Sequence, residues 1–400
     1  MKCHRSLSRS SLFSGALTHV VQDGLSVTVN VLLPVLAQLF GLGYAQVGLL
    51  RGAMNLVQAL VEMGSGWVSE VLGESETLVV GLLFTGMGYV LMSFASGIFL
   101  VTAGLLVVGV GTALHHAPSS SLIASNFPPG KRSSALGLYN ASGDIGKLVL
   151  SGGFSLALGA GLAWHQTSLC YAGLSLLAAI AVAAISSQLR FKARKTEHAL
   201  GEKSNTNGTS RWGVLNWRSF SILLATISID NMIQASVLVF TAFLMLSKGL
   251  PIWLSTGATV LLLAGGVAGK AACGFLADRL GVRAAYSVIQ GLTALGLVLV
   301  VIAPNWLVAV LLIPLGAVVQ GSTSITYGFA AGLIHPKRMA RGYALLYASG
   351  SFTAALGPPL FGLVGDATAI GSAFYLMAGV ILLAIPMIFL LPESSPDRGR

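Results

Sequence analysis

Two eight-residue stretches of this sequence, GWVSEVLG at 66–73 and GFLADRLG at 274–281, are copies of one motif 208 positions apart. Each begins and ends with glycine and carries an acidic residue at its fifth position. The tripeptide ASG recurs at almost the same offset, at 141–143 and 348–350. Matching offsets at separate places indicate a duplicated unit that fills about half of the chain.

The composition around these copies excludes a soluble protein. Of 400 residues, 54% are hydrophobic and 9% are charged, and the mean hydropathy is +0.82. A soluble domain carries roughly 25% charged residues, so this chain cannot cover a water-facing surface of its size. Its 49 glycines suit membrane helices, whose backbones approach closely at small residues. The three cysteines are scattered without metal-binding or disulfide spacing.

Apolar runs long enough to span a bilayer, about 20 residues each, recur from end to end. They predict an all-α membrane protein of twelve transmembrane helices in two pseudo-symmetric six-helix bundles. The predicted helices are 12–39, 45–70, 77–96, 98–125, 134–160, 163–187, 217–246, 253–277, 283–303, 305–334, 342–365 and 370–391. The bundles are 1–187 and 217–392, joined by a polar, turn-rich linker at 188–216 and followed by a tail at 393–400.

The positive charges are confined to one set of loops. Of the 23 lysines and arginines, 19 lie at the termini, in the 188–216 linker, or in loops and helix starts on that same side of the predicted membrane. By the positive-inside rule, both termini are cytoplasmic. The net charge of +10 therefore reflects topology, and we expect no nucleic-acid partner.

The second motif copy, continued to GFLADRLGVR at 274–283, resembles the G-x-x-x-D-R-x-G-R signature of the major facilitator superfamily. The first copy keeps the acid as Glu70 and lacks the basic residue. The resemblance implies two bundles that rock about a central site. It also implies a cytoplasmic gating role for Glu70, Asp278, Arg279 and Arg283.

Three stretches of the N-terminal half resemble the fosmidomycin-resistance branch of that superfamily: LTHVVQD at 17–23, GYAQVG at 43–48 and GVGTALHHAPSS at 109–120. This likeness implies efflux of a drug or another small organic solute. The sequence departs from the branch after His116, where Ala and Pro replace the usual Pro-Glu pair. The glycine–proline motif of drug antiporters is also missing from the fifth helix, which leaves uptake open.

Ionisable side chains at membrane depth cost about 2.5–3.5 kcal/mol each on insertion scales, so each needs an explanation. In the first helix, His19 and Asp23 are four residues apart and share one face. The duplication places Asp23 on Asp230 of the seventh helix. We predict that His19 and Asp23 couple transport to protons; a hydrogen-bonded packing network is the alternative.

Two further helices carry polar stripes at spacings of 4, 3 and 4, which place each stripe on one helical face. The stripes are Arg51, Asn55, Gln58 and Glu62 on the second helix and Asn140, Asp144, Lys147 and Ser151 on the fifth. We predict that both face a substrate cavity, because a lipid-facing stripe of this polarity is costly. Alternatively, Arg51 reaches the outer interface, Glu62 pairs with a neighbouring helix, and Asp144 and Lys147 neutralise each other.

The remaining polar positions divide between cavity and structure. His115 and His116 point about 100° apart on one continuous helix, so only one can face a given site, and we favour His116. Lys270 lies near a helix end, and we expect it to extend to the cytoplasmic interface. Further predicted cavity residues are Asp230, Asn231, Gln234, Gln320, Tyr327 and Tyr347.

No phosphate-binding loop, metalloprotease helix or nucleophile elbow is present, so we predict neither an enzyme nor a cofactor. The sequence predicts a monomeric, inner-membrane secondary transporter. It would move a small polar or anionic solute, handled by Lys147, Arg51 and His116, with protons as coupling ion. Two alternatives stay open. One is a divalent-metal carrier that uses His19, Asp23, His115 or His116, and the other is a non-transporting sensor or scaffold with a partner at 188–216.

Overall fold

The structure, a computed structural model, describes residues 2–193, 212–335 and 339–392. Apart from one isolated β-bridge between Val214 and Ile334, its regular elements in those ranges are helices. The α-helices are α1 (Lys2–Phe40), α2 (Tyr44–Leu72), α3 (Glu74–Ser93), α4 (Ile98–Ala113), α5 (His116–Asn126), α6 (Pro129–Gly159), α7 (Trp164–Ala193), α8 (Trp217–Ser247), α9 (Ile252–Thr256), α10 (Ala258–Leu280), α11 (Val282–Ile302), α12 (Asn305–Ala330), α13 (Met339–Ala367), α14 (Ile370–Leu382) and α15 (Ala384–Phe389). Positions 194–211 of the predicted linker and the whole predicted tail lie outside these ranges.

These helices form the twelve predicted spans, three of which are interrupted. The pairs α4–α5, α9–α10 and α14–α15 each fill one predicted transmembrane segment. In the described residues, nine spans are long and apolar enough to cross a membrane by length and composition. The other three are α2, α6 and α13. The first two carry the polar stripes, and the third contains Pro358 and Pro359. The predicted fold class is confirmed.

The duplication read from the sequence reappears in the packing. Helix α1 packs against α6, and its counterpart α8 packs against α13. In the same way, α3 contacts α4 and α7, while α11 contacts α12 and α14. We call α1–α7 the N-terminal half and α8–α15 the C-terminal half.

Two helix pairs related by the duplication join the halves: α2 with α13, and α6 with α10. Glycines bring α2 and α13 into backbone contact. A Cβ at Gly48 would overlap the Pro358 carbonyl, and one at Gly52 would overlap the Ala355 carbonyl. Only glycine permits this approach, so the two positions determine how tightly the halves close.

The end of the bundle at which α2 begins is the one that the charge pattern predicts to be the outer end, and we use that name for it. There a carboxylate joins the two halves. Asp366, near the end of α13, accepts hydrogen bonds from the backbone N–H of Tyr44 (2.7 Å) and of Ala45 (2.9 Å). The N-terminus of a helix leaves such donors unsatisfied and carries partial positive charge, so an anion is favoured there. The larger apolar core also includes side chains of both halves, such as Leu36 and Phe240.

Candidate functional site

A cavity of about 400 Å³ lies between the two halves, within the range of small-molecule sites. All of the predicted proton-coupling and cavity residues except Glu62, Ser151 and Asp230 line it. They are His19, Asp23, Arg51, Asn55, Gln58, His116, Asn140, Asp144, Lys147, Asn231, Gln234, Gln320, Tyr327 and Tyr347. Both halves therefore contribute polar side chains to one space.

Asp23, buried on α1, is the centre of a charged cluster. Its Oδ2 lies 3.0 Å from His19 Nε2 and 3.0 Å from Lys147 Nζ. Its Oδ1 lies 3.0 Å from His115 Nε2 and 3.7 Å from His116 Nε2. One carboxylate thus meets three imidazoles and one ammonium group, contributed by α1, the α4–α5 junction and α6.

Two of these imidazoles lie between a pair of acceptors. His19 Nδ1 is 2.8 Å from the Tyr139 carbonyl oxygen, and His115 Nδ1 is 2.5 Å from that of Thr112. Each Nε2 faces an oxygen of Asp23. A neutral imidazole has one N–H, so it satisfies one acceptor and presents a lone pair to the other. The cluster can satisfy all these contacts only by taking up additional protons.

As expected, His116 lines the cavity and His115 does not, but the expectation that the two rings cannot meet at one point is wrong, since both contact Asp23. It assumed one continuous helix, whereas α4 ends at Ala113 and α5 begins at His116. The cause is Pro118, which cannot donate a hydrogen bond to the carbonyl of residue 114 and is tolerated in the first turn of the new helix. The break turns both histidines toward Asp23, with ring centroids 3.8 Å apart. Pro118 was the signal in the sequence.

The placement of Lys270 at the cytoplasmic interface is also wrong. This lysine of α10 points into the cavity, where its Nζ lies 2.5 Å from Asp144 Oδ1. The same oxygen is 3.4 Å from Lys147 Nζ. Because α10 belongs to the C-terminal half and α6 to the N-terminal half, the ion pair of Lys270 and Asp144 crosses between them. The sequence spacing predicted the pairing of Asp144 with Lys147, but it did not predict that Lys270 also binds Asp144.

Arg51 is buried on the cavity wall and does not extend to the outer interface. Its Nη1 donates to the Ser26 carbonyl oxygen at 2.9 Å and contacts Met54 Sδ at 3.1 Å. Asn55, one turn further along α2, donates to the Ala354 carbonyl of the opposite half at 3.0 Å. The second-helix stripe thus lines the cavity at one end and joins the halves further along.

Glu62 and Asp230 are buried but do not line the cavity. Glu62 Oε2 accepts from the Ser351 hydroxyl at 3.0 Å, across the contact of α2 with α13. Asp230 Oδ1 accepts from the Tyr286 hydroxyl at 2.8 Å and from Gln290 Nε2 at 2.6 Å. Asp230 thus occupies the position equivalent to Asp23, but both of these hydrogen-bond partners belong to the C-terminal half.

The four side chains around Asp23 also have the composition of a metal site. One ligand atom each from His19, Asp23, His115 and His116 can be chosen so that all lie within 4.8 Å of one another. However, the Lys147 ammonium group already contacts the carboxylate at 3.0 Å and would repel a divalent ion beside it. The ammonium group therefore disfavours a metal ion at this site.

The predicted gating residues lie away from the cavity. Asp278 and Arg279 are exposed at the end of α10, where the Arg279 guanidinium lies 4.3 Å from the centre of the Phe275 ring. Arg283 Nη2 donates to the Leu391 carbonyl oxygen at 2.5 Å, which joins the start of α11 to the end of α15. The Glu70 side chain lies outside the described part of the structure. The gating role stays a prediction.

A duplicated all-helical membrane bundle with a polar cavity between its halves defines a membrane transporter rather than an enzyme. The chain belongs to the Major Facilitator Superfamily, whose sequence profile matches residues 15–269 and 253–400. The resemblance to this superfamily read from the sequence is therefore confirmed.

Known proteins of this superfamily resemble the chain over most of its length. It is 24% identical to the Fosmidomycin resistance protein of Escherichia coli (strain K12), over 96% of this chain and 93% of that protein. It is 25% identical to Monocarboxylate transporter 11 of Homo sapiens, over 87% and 74% respectively. In fold it resembles a bacterial homolog of the human lysosomal transporter Spinster in an inward-facing and occupied conformation. That match has a TM-score of 0.75, 15% identity and 95% coverage of both chains.

Proposed function

We propose that this protein is a secondary transporter that exports a small organic anion across the bacterial inner membrane by alternating access, coupled to protons. The observation that carries the proposal is the charge of the cavity wall. In the described residues, three cationic side chains line it, Arg51, Lys147 and Lys270, against the carboxylates Asp23 and Asp144. With the histidines neutral, the wall has one excess positive charge. Opposite charge in a low-dielectric cleft attracts and holds an anion.

The relatives support the same class of solute. One similar protein is named for resistance to fosmidomycin, and another is a monocarboxylate transporter. A shorter match, 24% identical over 30% of this chain, is a probable sulfoacetate transporter of Cupriavidus necator. We infer efflux from the fosmidomycin-resistance relative, because export of a drug confers resistance to it. The bacterial source of that relative supports an inner-membrane location.

Proton coupling rests on the geometry around Asp23. His19 and His115 each bridge a backbone carbonyl and this carboxylate, an arrangement that is complete only with additional protons. Histidine has an ordinary pKa near 6.5, so it exchanges protons in the physiological range. Rocking of the halves would change the hydration of the cluster and, with it, the affinity for those protons.

Alternating access is supported by the position of the inter-half contacts. On α13 they run from Asp366 at the outer end to Tyr347, whose ring stacks on His116 with centroids 5.1 Å apart. The outer end is therefore closed, and the fold resembles a transporter in an inward-facing conformation. Opening the α2–α13 contact would turn the cavity toward the other side.

The test is transport in proteoliposomes with and without an imposed pH gradient. The solutes are lactate, sulfoacetate and fosmidomycin, with an uncharged sugar as control. We expect gradient-driven movement of at least one anion and none of the sugar. Asp23→Asn should abolish gradient-driven accumulation and preserve anion exchange without a gradient, whereas His19→Ala should shift the pH profile more than the maximal rate.

Other outcomes would favour the alternatives. Unchanged gradient-driven accumulation in Asp23→Asn would remove the coupling role of this carboxylate. Flux of Mn²⁺ or Zn²⁺ without anion flux would favour the divalent-metal carrier. A protein that moves no solute, and whose cavity charges can be neutralised without effect in the cell, would be a sensor or scaffold.

A further inference from the structure

Two lysines from opposite halves share one oxygen of one carboxylate. Lys147 of α6 and Lys270 of α10 lie 3.4 Å and 2.5 Å from Asp144 Oδ1. The two ammonium groups are therefore close enough for one oxyanion to bind both of them. Two like charges this close repel unless an anion lies between them, and Asp144 supplies that anion.

The arrangement is open to the cavity. The side chains of Lys147, Asp144 and Lys270 are 26%, 18% and 29% exposed, and all three line the cavity. Ion pairs that reach water exchange partners readily because solvent stabilises the separated charges. A dissolved anion can therefore reach the two lysines without unfolding any element.

The two lysines differ in what else holds them. Lys147 also contacts Asp23 Oδ2 at 3.0 Å, whereas the ion pair that the described residues record for Lys270 is with Asp144. If Asp144 moves away, Lys147 keeps an anionic partner and Lys270 needs a new one. The position that Asp144 occupies is the one an incoming anion would take.

We propose that Asp144 is an internal stand-in for the anionic group of the substrate. On this proposal, which rests on the proposed function, the carboxylate, sulfonate or phosphonate of the solute displaces Asp144. It then binds Lys147 and Lys270 together. The substrate thereby replaces the ion pair of Asp144 with Lys270, which joins the two halves. The released Asp144 side chain rotates toward the cavity. The class of ligand is a small organic oxyanion with at least two oxygens on one centre.

This proposal makes an unusual prediction about affinity. Asp144→Asn removes a competitor and leaves the side chain almost unchanged in size. The half-saturating concentration of an anion should therefore fall about tenfold, since close charge pairs are coupled by at least this much. Lys270→Met should raise it about tenfold. A purely structural ion pair predicts the opposite for Asp144→Asn, because loss of the carboxylate would disorder both lysines.

The measurement is isothermal titration of the purified full-length protein with acetate, methylphosphonate and sulfoacetate. Asp144→Glu retains the competing charge and should bind like the wild type. Glu76→Gln removes one negative charge from the first turn of α3, away from the cavity, so it controls for the overall field. If Asp144→Asn does not yield folded protein, Asp144→Ser takes its place. Unchanged anion affinity in Lys270→Met is by itself enough to overturn the proposal.

The outcomes separate this inference from the proposed function. Anion binding that depends on Lys270 but is equal or weaker in Asp144→Asn overturns the stand-in role and leaves anion transport intact. Absence of binding in both the wild type and Asp144→Asn also overturns it. Failure of every anion in the proteoliposome assay overturns the proposed function itself.

Discussion

The closure of the outer end by Asp366 can be tested quantitatively. In Asp366→Ala, the Tyr44 and Ala45 N–H groups lose a charged acceptor that belongs to the other half. Loss of such a helix-capping carboxylate costs about 1 kcal/mol, within the range of 0.5–2 kcal/mol. This loss affects only conformations in which α2 and α13 meet at the outer end. The ratio of outward-open to outward-closed molecules should therefore rise about fivefold.

The assay is double electron–electron resonance in lipid nanodiscs. Spin labels are placed on cysteines introduced at Leu162 and Ala369, which are exposed and belong to opposite halves. The native cysteines are removed first. The matched control is Gln46→Ala, because Gln46 Oε1 accepts from the Gly43 N–H at 2.9 Å within α2 itself. That cap is equally present in both conformations, so its loss should leave the distance distribution unchanged.

Equal shifts in Asp366→Ala and Gln46→Ala would refute the reasoning, because they would mean that the stability of the α2 terminus, not the contact between halves, sets the equilibrium. No shift in Asp366→Ala would show that the glycine contacts alone hold the outer end closed.

Three further results are expected. A reporter fused near Trp164 should read periplasmic and one at the C-terminus cytoplasmic; two readings on the same side would contradict the predicted helix count. Asp278→Asn should slow transport and leave anion affinity within a few-fold, as measured by flux and titration, because this exposed carboxylate lies away from the cavity. Pro118→Ala should favour a continuous helix and swing His115 or His116 from Asp23, so the pH profile of transport should change shape; an unaltered profile would argue against the histidine cluster.

The fold could be predicted from the sequence because membrane insertion imposes strong local rules. Apolar length and a repeated motif depend on short stretches of chain, and both persist in the folded protein. The spans that composition alone does not identify are α2, α6 and α13. The breakers that bound each apolar run were enough to place them in the sequence.

The site could be predicted only where helical periodicity was sufficient. His19 with Asp23, and Asp144 with Lys147, meet because residues three or four apart share a face. Lys270 was misplaced because its partner lies on another half of the molecule, and no local pattern reports that approach. Glu62 continues its stripe by spacing, yet it contacts Ser351 because α13 covers that part of α2. His115 required the effect of Pro118 on the helix to be considered before its direction was assigned.

The excess positive charge of the cavity wall has an electrical consequence. A charge that crosses the membrane potential changes free energy by about 2.3 kcal/mol per 100 mV. With the histidines neutral, an empty carrier whose wall bears one net positive charge would be drawn toward the negative cytoplasmic side. Loaded with a monovalent anion, the same carrier would be electrically neutral and would reorient without sensing the voltage. The membrane potential would then act mainly on the return of the empty carrier, and would favour a resting state in which the cavity opens to the cytoplasm.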